Sequence, residues 1–424
     1  MMNLILFMKP IVDMLWQYKI LLLALIGGVV LYMLPQYCKV RISFTNSLLV
    51  FFSIMLTISF FNKIDENTSS TYLKVISAFM LFFAAQLNQD INKTLKVIAA
   101  SYIIPSVYSL LLYLTDNGYV FWGGIRTFVG PYYYKTDLAI AVILSVIFFR
   151  KALYSSKSGF LKIIAGMYIL VIAPMLILTA NSRMMTIIYG VIIIYIIVER
   201  LALSAKRLTN LIKFSKVKKI AVVLLSCIVL VGGYFVYDSL TQNALKINLS
   251  SDEFFSQSNT QGRSGIWSTI IDNFLAGDTR SIMFGYYIGK DFEFNTYMGN
   301  DAHNSFLKLL VATGFYGLSL YVLFLLLIIY KIRAISKLTD LDNTQRFAVN
   351  TIIMVLLFFL ISGMTQSNII FTQSSWYAFY FMGLLYSPNL VQLSKTQSIQ
   401  VGYNLASPIN QLTTVPKSSY HRSL

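Results

Sequence analysis

The sequence predicts an all-α polytopic membrane protein, and both its composition and the length of its apolar runs support this fold class. Of the 424 residues, 57% are hydrophobic and 12% are charged, and the mean hydropathy is +0.67. A soluble domain carries roughly 25% charged residues. Apolar runs of about 17–25 residues alternate here with short polar turns, which is typical of helices that cross a bilayer.

Eleven apolar runs are long enough to be candidate membrane spans. They cover residues 20–34, 45–61, 72–87, 96–115, 136–150, 159–179, 184–200, 220–237, 305–330, 347–363 and 374–388. Residues 2–17 are also apolar, but they contain Lys9, Pro10 and Asp13 and look short for a span. We expect an interfacial helix there, with a twelfth span as the alternative.

The distribution of lysine and arginine predicts the orientation of these spans, because cytoplasmic loops carry the excess of basic residues. Basic residues concentrate in the loop 201–219 and in the loop that follows residue 330, which we therefore place in the cytoplasm. The turns that contain Lys39 and Arg150 belong to the same side. The loops expected outside are 62–71, 116–135, 238–303 and 364–373.

This arrangement predicts a single transmembrane helical domain over residues 1–388, with 238–303 as its one large external loop. Residues 389–424 are basic and rich in Ser, Gln, Asn and Thr, which predicts a disordered cytoplasmic tail. The topology also explains the net charge of +17, so no nucleic-acid partner is expected.

Several classes of protein are disfavoured by the motifs that the sequence lacks. It has no Gly-rich nucleotide loop and no CxxC or HExxH pattern. With only two cysteines, Cys38 and Cys227, and two histidines, we expect no metal site and no cofactor. Ion-coupled transporters usually need ionisable groups in the middle of the bilayer, whereas the conspicuous ones here lie at the outer ends of spans.

The large external loop ends in a polar segment where the chain re-enters the membrane. This segment contains His303 and Asn304, just before the span 305–330. Histidine is the side chain best suited to proton transfer near neutral pH. Asn304 could bind a sugar hydroxyl or cap the following helix. The alternative for His303 is a helix cap or an interfacial residue.

Three arginines are also expected at the outer face. Arg126 precedes a span, Arg183 lies in a tight turn between two spans, and Arg263 lies in the large loop. External arginines are uncommon because of the positive-inside bias, so each is a candidate for binding an anion. The alternatives are an interfacial anchor for Arg126, a simple hairpin terminus for Arg183 and a solvated loop residue for Arg263.

Apolar residues follow Arg263 at helical spacing, and a glycine ends the pattern. The apolar positions are Ile266, Trp267, Ile270, Ile271 and Phe274, and the glycine is Gly277. We expect an amphipathic helix on the outer surface of the membrane. Arg263 would lie near its N-terminus, where backbone N–H groups favour anions.

The order and spacing of these elements resemble the O-antigen polymerase and O-antigen ligase superfamily of bacterial membranes. The shared elements are, in chain order, Arg126-x-x-x-Gly130-Pro131, Ser182-Arg183, Gly262-Arg263 with Trp267, the pairs Phe284-Gly285 and Ile288-Gly289, and His303-Asn304-Ser305-Phe306-Leu307 followed by Gly314 and Gly317. The family often continues the Ser-Arg turn with small residues, whereas this chain has Met184 and Met185.

The resemblance implies a metal-independent glycosyltransferase with a GT-C-like membrane fold. Its donor would be an undecaprenyl-pyrophosphate-linked oligosaccharide, at the periplasmic face of the bacterial cytoplasmic (inner) membrane. Our first interpretation is a polymerase of O-antigen or capsular polysaccharide repeat units. The alternatives are a ligase that transfers the glycan to lipid A–core and, less favoured, a lipid-linked oligosaccharide flippase or exporter.

The resemblance also implies roles for individual residues. Arg183 and Arg263 would bind the pyrophosphate, and Arg126 would bind the pyrophosphate or the reducing-end sugar. His303 would bind the acceptor or remove its proton, and Asn304 and Trp267 would contact the substrate. The implied partners are the lipid bilayer and the chain-length regulator and flippase proteins of the same assembly machinery.

Overall fold

The computed structural model describes residues 1–40, 42–122, 125–208, 263–295, 302–338 and 341–390. The predicted span 220–237, about half of the predicted external loop 238–303 and nearly all of the predicted tail lie outside these residues. Eight helical segments of the described chain are long and apolar enough to cross a membrane: Lys19–Lys39, Phe44–Phe61, Glu66–Gln86, Ile91–Leu114, Gly159–Thr179, Arg183–Leu201, Ser305–Ser336 and Asn343–Gly363. They confirm a multi-pass helical membrane protein.

The N-terminal part of the chain forms six helices. They are α1 (Met2–Met14), α2 (Lys19–Met33, followed by a 3-10 turn at Leu34–Lys39), α3 (Phe44–Phe61), α4 (Glu66–Gln86), α5 (Ile91–Ser101) and α6 (Ile103–Leu114). Polar residues explain where three of them begin. Ser43 caps α3, Asp65 forms a capping box with Thr68 at the start of α4, and Asp90 caps α5. These side chains satisfy backbone N–H groups that have no partner within the helix.

A β-hairpin occupies the predicted external loop 116–135. Strands β1 (Tyr119–Trp122) and β2 (Ile125–Phe128) pair antiparallel, with Tyr119 opposite Phe128. Phe128 is fully buried and packs against the rings of Tyr113 and Tyr119. This short hairpin differs from the expectation of an all-α chain. Hydropathy predicts membrane spans and gives no information about the structure of polar loops.

Four helices follow the hairpin: α7 (Lys135–Ser155), α8 (Gly159–Met167), α9 (Ala173–Thr179) and α10 (Arg183–Leu208). A turn of π-helix at Tyr168–Ile172 joins α8 to α9. Pro174 lies just after this turn, and because proline cannot donate a backbone hydrogen bond it disrupts the regular helix. The hydroxyl of Tyr189 donates to the Ile169 carbonyl within the widened turn.

The C-terminal part of the described chain contains six helices. They are α11 (Arg263–Leu275), α12 (Thr279–Phe284), α13 (Lys290–Phe294), α14 (Ser305–Ser336), α15 (Asn343–Gly363) and α16 (Thr372–Leu384). The three short helices α11–α13 pack on α14. We call them the outer lobe.

Helix α16 lies at the centre of the protein. All of its 13 residues are buried, and it approaches α4 so closely that a Cβ at Gly383 would overlap the Phe82 carbonyl. Thirteen residues reach about 20 Å, which is less than the roughly 30 Å of the hydrocarbon core. The predicted span 374–388 is therefore a short helix enclosed by protein and is not among the eight. Its apolar character reflects burial in the bundle.

Two other predicted segments differ from a simple lipid-facing helix. Helix α7 has 21 residues, but it carries ionisable residues at both ends and is not among the eight segments. Helix α1 covers the segment expected to be interfacial. Its Leu6 and Lys9 are fully buried, Lys9 pairs with Asp13, and the Lys9 ammonium lies 5.2 Å from the Trp376 ring centroid. One face of α1 is thus part of the protein core, while Leu4 stays exposed.

A buried ion pair joins helices α7, α10 and α15. Arg150, expected in a cytoplasmic turn, lies inside α7 and is fully buried, with its Nε 3.4 Å from the Glu199 carboxylate. Its Nη2 donates to the Thr351 hydroxyl at 3.0 Å, and Glu199 accepts a hydrogen bond from Asn350 at 2.6 Å. The basic residue that the topology rule counts as a surface charge therefore has a structural role.

We predict that Arg150→Met alone destabilises the protein by roughly 3–5 kcal/mol, because it leaves the Glu199 carboxylate buried without its cation. The double variant Arg150→Met/Glu199→Gln should recover much of this loss, because both charges are then absent. Thermal unfolding of the purified full chain in detergent measures the effect. Lys157→Ala, at an exposed residue of the same end of α7, is the control. An Arg150→Met variant as stable as this control would contradict the role of the pair.

Candidate functional site

Three basic residues lie at the starts of three helices, and one of them, Lys135, is within electrostatic range of the other two. Lys135 begins α7, Arg183 begins α10, and Arg263 is the first described residue of α11. Burial lowers the pKa of the Lys135 ammonium, and the positive charges of Arg263 and Arg183 lower it further. Lys135 is therefore within electrostatic range of both arginines, although the three residues are distant in sequence. We call them the basic cluster.

The turn between α9 and α10 connects two members of the basic cluster. Asn181 adopts a left-handed conformation with φ 49°, which asparagine tolerates better than most residues. Its carbonyl accepts a hydrogen bond from the Lys135 ammonium at 3.2 Å. The turn thus holds the start of α7 beside the start of α10, and it brings Lys135 next to the predicted Ser182-Arg183 element.

The basic cluster lies where helix dipoles already produce a positive potential. The N-terminus of a helix favours anions and disfavours cations. Three cations at three helix starts therefore repel both the dipoles and one another. A bound anion with several oxygen atoms would relieve this repulsion, which is the electrostatic property expected of a phosphate-binding site.

Helix α11 links the basic cluster to the segment around His303. Arg263 and Trp267 are four residues apart and so share one face of the helix. The indole Nε1 of Trp267 donates to the carbonyl of Ala302 at 2.8 Å. Ala302 directly precedes His303, so Trp267 contacts the histidine segment. Arg263 lies about one helical turn before Trp267 in α11.

The predicted helix after Arg263 is confirmed, and three of its five predicted apolar residues face the protein interior. Ile266, Ile270 and Phe274 are buried in a cluster with Leu307 and Val311 of α14. Packing on α14 therefore covers these three residues, whereas Ile271 of the predicted face is exposed. The spacing of the apolar residues indicated a helix with one buried side, and it could not distinguish the two kinds of apolar surroundings.

A buried ion pair supports the same segment from the other side. Asp291 of α13 lies 2.9 Å from the Lys308 ammonium of α14, and both side chains are almost fully buried. The Asp291 carboxylate also accepts a hydrogen bond from the Ala302 N–H at 3.0 Å. One carboxylate therefore connects α13, α14 and the chain just before His303.

His303 and Asn304 form the start of α14. His303 is half-buried and has a left-handed backbone with φ 46°. The Asn304 side-chain oxygen accepts hydrogen bonds from the N–H groups of Phe306 and Leu307, and its amide donates to the Met364 carbonyl at 3.1 Å. Of the two roles considered for Asn304, the structure confirms the helix cap.

Glycines at a break in α14 let the outer lobe pack directly on that helix. Gly314 has φ 67° and interrupts the helix, and Gly285 has φ 83° at the end of α12. The Tyr286 N–H donates to the Val311 carbonyl at 2.9 Å. A Cβ at Gly285 would overlap Ala312 and one at Gly314 would overlap Met283. Gly285 and Gly314 therefore allow close backbone contact between the end of α12 and the break in α14.

The predicted external loop 62–71 contacts the outer lobe. The Asn62 amide donates to the Tyr286 carbonyl at 2.6 Å, and the Lys63 ammonium lies 2.9 Å from the Glu293 carboxylate. The Asn304–Met364 contact likewise joins two segments that were both predicted outside. These contacts place three of the predicted external segments at one end of the molecule.

Arg126 contacts neither the basic cluster nor the segment around His303 in the part of the chain that the structure describes. Its guanidinium forms an ion pair with Asp116 at 2.6 Å and lies 4.0 Å from the centroid of the Tyr119 ring. The side chain is about half exposed, at 47%. Among the described residues, Arg126 thus contacts its own hairpin, and the structure does not join it to the basic cluster.

Three residues of the site were missed in the sequence. Lys308 is a lone charge in an apolar run, which could have marked it as a residue with a buried partner. Lys135 directly precedes the predicted span 136–150, a position where an interfacial lysine is common, so its sequence context does not single it out. Asp291 is one of several acids in the large loop, and no local feature distinguishes it from the others.

Comparisons with protein-family models, with curated proteins and with solved structures found no match. In the part of the chain that the structure describes, no group of three or more His, Cys, Asp or Glu residues has the geometry to hold a metal ion. The features of the molecule that bear on its function are therefore the basic cluster and the segment around His303.

We predict that Gly314→Ala lowers the yield and stability of the folded protein, because alanine is strained at this positive φ and its Cβ meets the Met283 backbone. Backbone strain alone costs about 1–3 kcal/mol. Detergent-resistant yield and thermal unfolding measure the loss. Gly27→Ala is the matched control, since a Cβ there has no atom within 4 Å. Equal behaviour of the two variants would contradict the close contact at the break.

Proposed function

We propose that this protein is a membrane glycosyltransferase that polymerises undecaprenyl-pyrophosphate-linked oligosaccharide repeat units at the outer face of the bacterial cytoplasmic membrane. The observation that carries the proposal is the basic cluster of Lys135, Arg183 and Arg263. It lies at three helix starts and is linked through Trp267 to the segment that bears His303. The resemblance of the sequence to the O-antigen polymerase and ligase superfamily supports the same function.

The basic cluster has the chemistry needed for a pyrophosphate leaving group. Arginine presents a planar set of donors that can bind two phosphate oxygens at once, and lysine adds a mobile point charge. These groups would stabilise the negative charge that develops as the glycosidic bond breaks. Pyrophosphate leaves readily when its charge is neutralised, so the proposed reaction needs no metal ion.

In the proposed reaction, the donor glycan moves from the pyrophosphate oxygen to an acceptor hydroxyl oxygen through its anomeric carbon. The bond between the anomeric carbon of the donor and the pyrophosphate oxygen breaks, and its electron pair leaves with the lipid pyrophosphate. The acceptor hydroxyl oxygen forms the new bond to that carbon. Its proton passes to the imidazole of His303, which therefore acts as the general base.

The remaining candidate residues are given revised roles. Asn304 and Trp267 use their polar atoms on Met364, the α14 backbone and Ala302, which supports a role in holding the His303 segment. Arg126 is on the exposed hairpin, where it could contact the reducing-end sugar by exchanging its ion pair with Asp116. This contact would supplement the basic cluster without being required for pyrophosphate binding.

Deletion of the gene, followed by gel analysis of surface polysaccharide, tests the proposed function. Loss of a polymerase leaves single repeat units on the core. Loss of a ligase leaves bare core, with the glycan accumulating on its lipid carrier, and loss of a flippase traps single units on the cytoplasmic side. Only the first pattern supports polymerisation, and either of the other two would replace the proposal.

We predict that Arg263→Lys and Arg183→Lys each remove most long polymer, because lysine lacks the planar pair of donors. Gel analysis of surface polysaccharide measures polymer length, and immunoblots of the membrane fraction confirm normal protein levels. Arg280→Lys is the matched control, since Arg280 lies in the outer lobe with its side chain exposed. Long polymer in both substituted strains would contradict pyrophosphate binding by these arginines.

We also predict that His303→Ala removes most polymer formation, with a residual turnover about 10²–10⁴-fold lower, and that His303→Gln does not restore it, because glutamine cannot accept the proton. His421→Ala, at the other histidine of the chain, should retain activity. Turnover of lipid-linked repeat units in isolated membranes provides the measurement. Rescue by glutamine would instead indicate that His303 donates a hydrogen bond to the acceptor sugar.

A further inference from the structure

The backbone of His303 is in a conformation that needs support from its surroundings. A non-glycine residue with positive φ is uncommon, and such a residue persists only when neighbouring contacts determine its conformation. His303 has φ 46°, and it lies between the buried Ala302 and the N-cap Asn304. The contacts of these two neighbours therefore help to fix the backbone from which the imidazole projects.

Two different helices hold the backbone of Ala302. Asp291 of α13 accepts the hydrogen bond from its N–H at 3.0 Å, and Trp267 of α11 donates to its carbonyl at 2.8 Å. These two hydrogen bonds hold both the N–H and the carbonyl of Ala302, and so fix the backbone just before His303. Asn304 then fixes the chain that leaves it, through the cap of α14.

The partner of Asp291 explains how its carboxylate is kept in place. Lys308 lies one turn into α14, and its ammonium contacts both carboxylate oxygens, at 2.9 and 3.2 Å. Taking two charges out of water is costly, and an apolar pair of similar size often gives equal stability. An apolar pair could not accept the Ala302 N–H, which indicates that the ion pair serves more than the packing of α13 on α14.

We propose that Asp291 is a positioning residue for His303. Its carboxylate, oriented by Lys308, holds the Ala302 N–H and so directs the imidazole toward the substrate bound by the basic cluster. This inference rests on the proposed function, because it assumes that His303 acts on a substrate there. Asp291 touches neither substrate nor leaving group, and it acts only through the chain before His303.

Two double variants separate the hydrogen bond from the packing. Asp291→Asn/Lys308→Met removes both charges and keeps an acceptor for the Ala302 N–H. Asp291→Leu/Lys308→Met removes both charges and the acceptor. We expect the first to retain most of the turnover of lipid-linked repeat units. The second should lower kcat by roughly tenfold or more with little change in KM, because the base is misdirected while substrate binding is intact.

A third set of variants tests whether the effect passes through His303. In a His303→Ala background, the two double variants should have the same residual activity, since no imidazole remains to be directed. A persistent difference there would mean a general structural effect and would overturn the proposal. Equal turnover of the two double variants with His303 present would overturn it as well. If the leucine variant does not fold, Trp267→Phe removes the other contact of Ala302 and should give the same kcat loss.

A chemical readout keeps the proposal testable without any transferase activity. In a His421→Ala protein, the absorbance change specific to carbethoxylated histidine on treatment with diethyl pyrocarbonate reports the reactivity of His303 alone. We expect the leucine double variant to change the rate of this modification relative to the asparagine double variant, and equal rates would contradict positioning. If the modification rate differs between the two double variants but the unsubstituted protein polymerises no repeat units, the positioning of His303 by Asp291 is supported and the proposed function is rejected.

Discussion

A bilayer offers no hydrogen-bond partner to the backbone, so an interruption of a helix inside the membrane has to be satisfied within the protein. Helix ends likewise leave free backbone groups, which side chains can cap. Asn304 does so for α14 by accepting the first free N–H groups. Tyr189 donates to the Ile169 carbonyl in the widened turn between α8 and α9. Polar side chains therefore gather at helix ends and breaks, and the candidate site is built from such places.

The electrostatics of the site follow from the same constraint. Cations at helix starts oppose the helix dipole, yet α7, α10 and α11 bring Lys135, Arg183 and Arg263 together at their starts. Elsewhere the protein neutralises its buried charges in pairs, as with Arg150–Glu199 and Asp291–Lys308. The charges around Lys135 that shift its pKa are both positive. This local excess of positive charge around Lys135 supports the proposal that the site binds an anionic substrate.

Local patterns in the sequence predicted several elements for sound physical reasons. The spacing of Ile266, Ile270 and Phe274 indicated the helix α11, because residues three and four apart share a face. The position of Asn304 before an apolar run indicated a helix start. The same reasoning could not foresee that Ile266, Ile270 and Phe274 pack on α14 or that α16 is enclosed by protein, since hydropathy alone does not distinguish lipid from protein interior.

The sequence by itself determined the class of this protein, most of its spans and the side chains available for chemistry, because these depend on composition and local periodicity. Only the tertiary structure decided which of those side chains meet. It joined Arg183 and Arg263 to Lys135, separated Arg126 onto its own ion pair with Asp116, and selected Asp291 from the acids of the outer lobe. Such contacts link residues distant in the chain, and they arise from helix packing that no local pattern encodes.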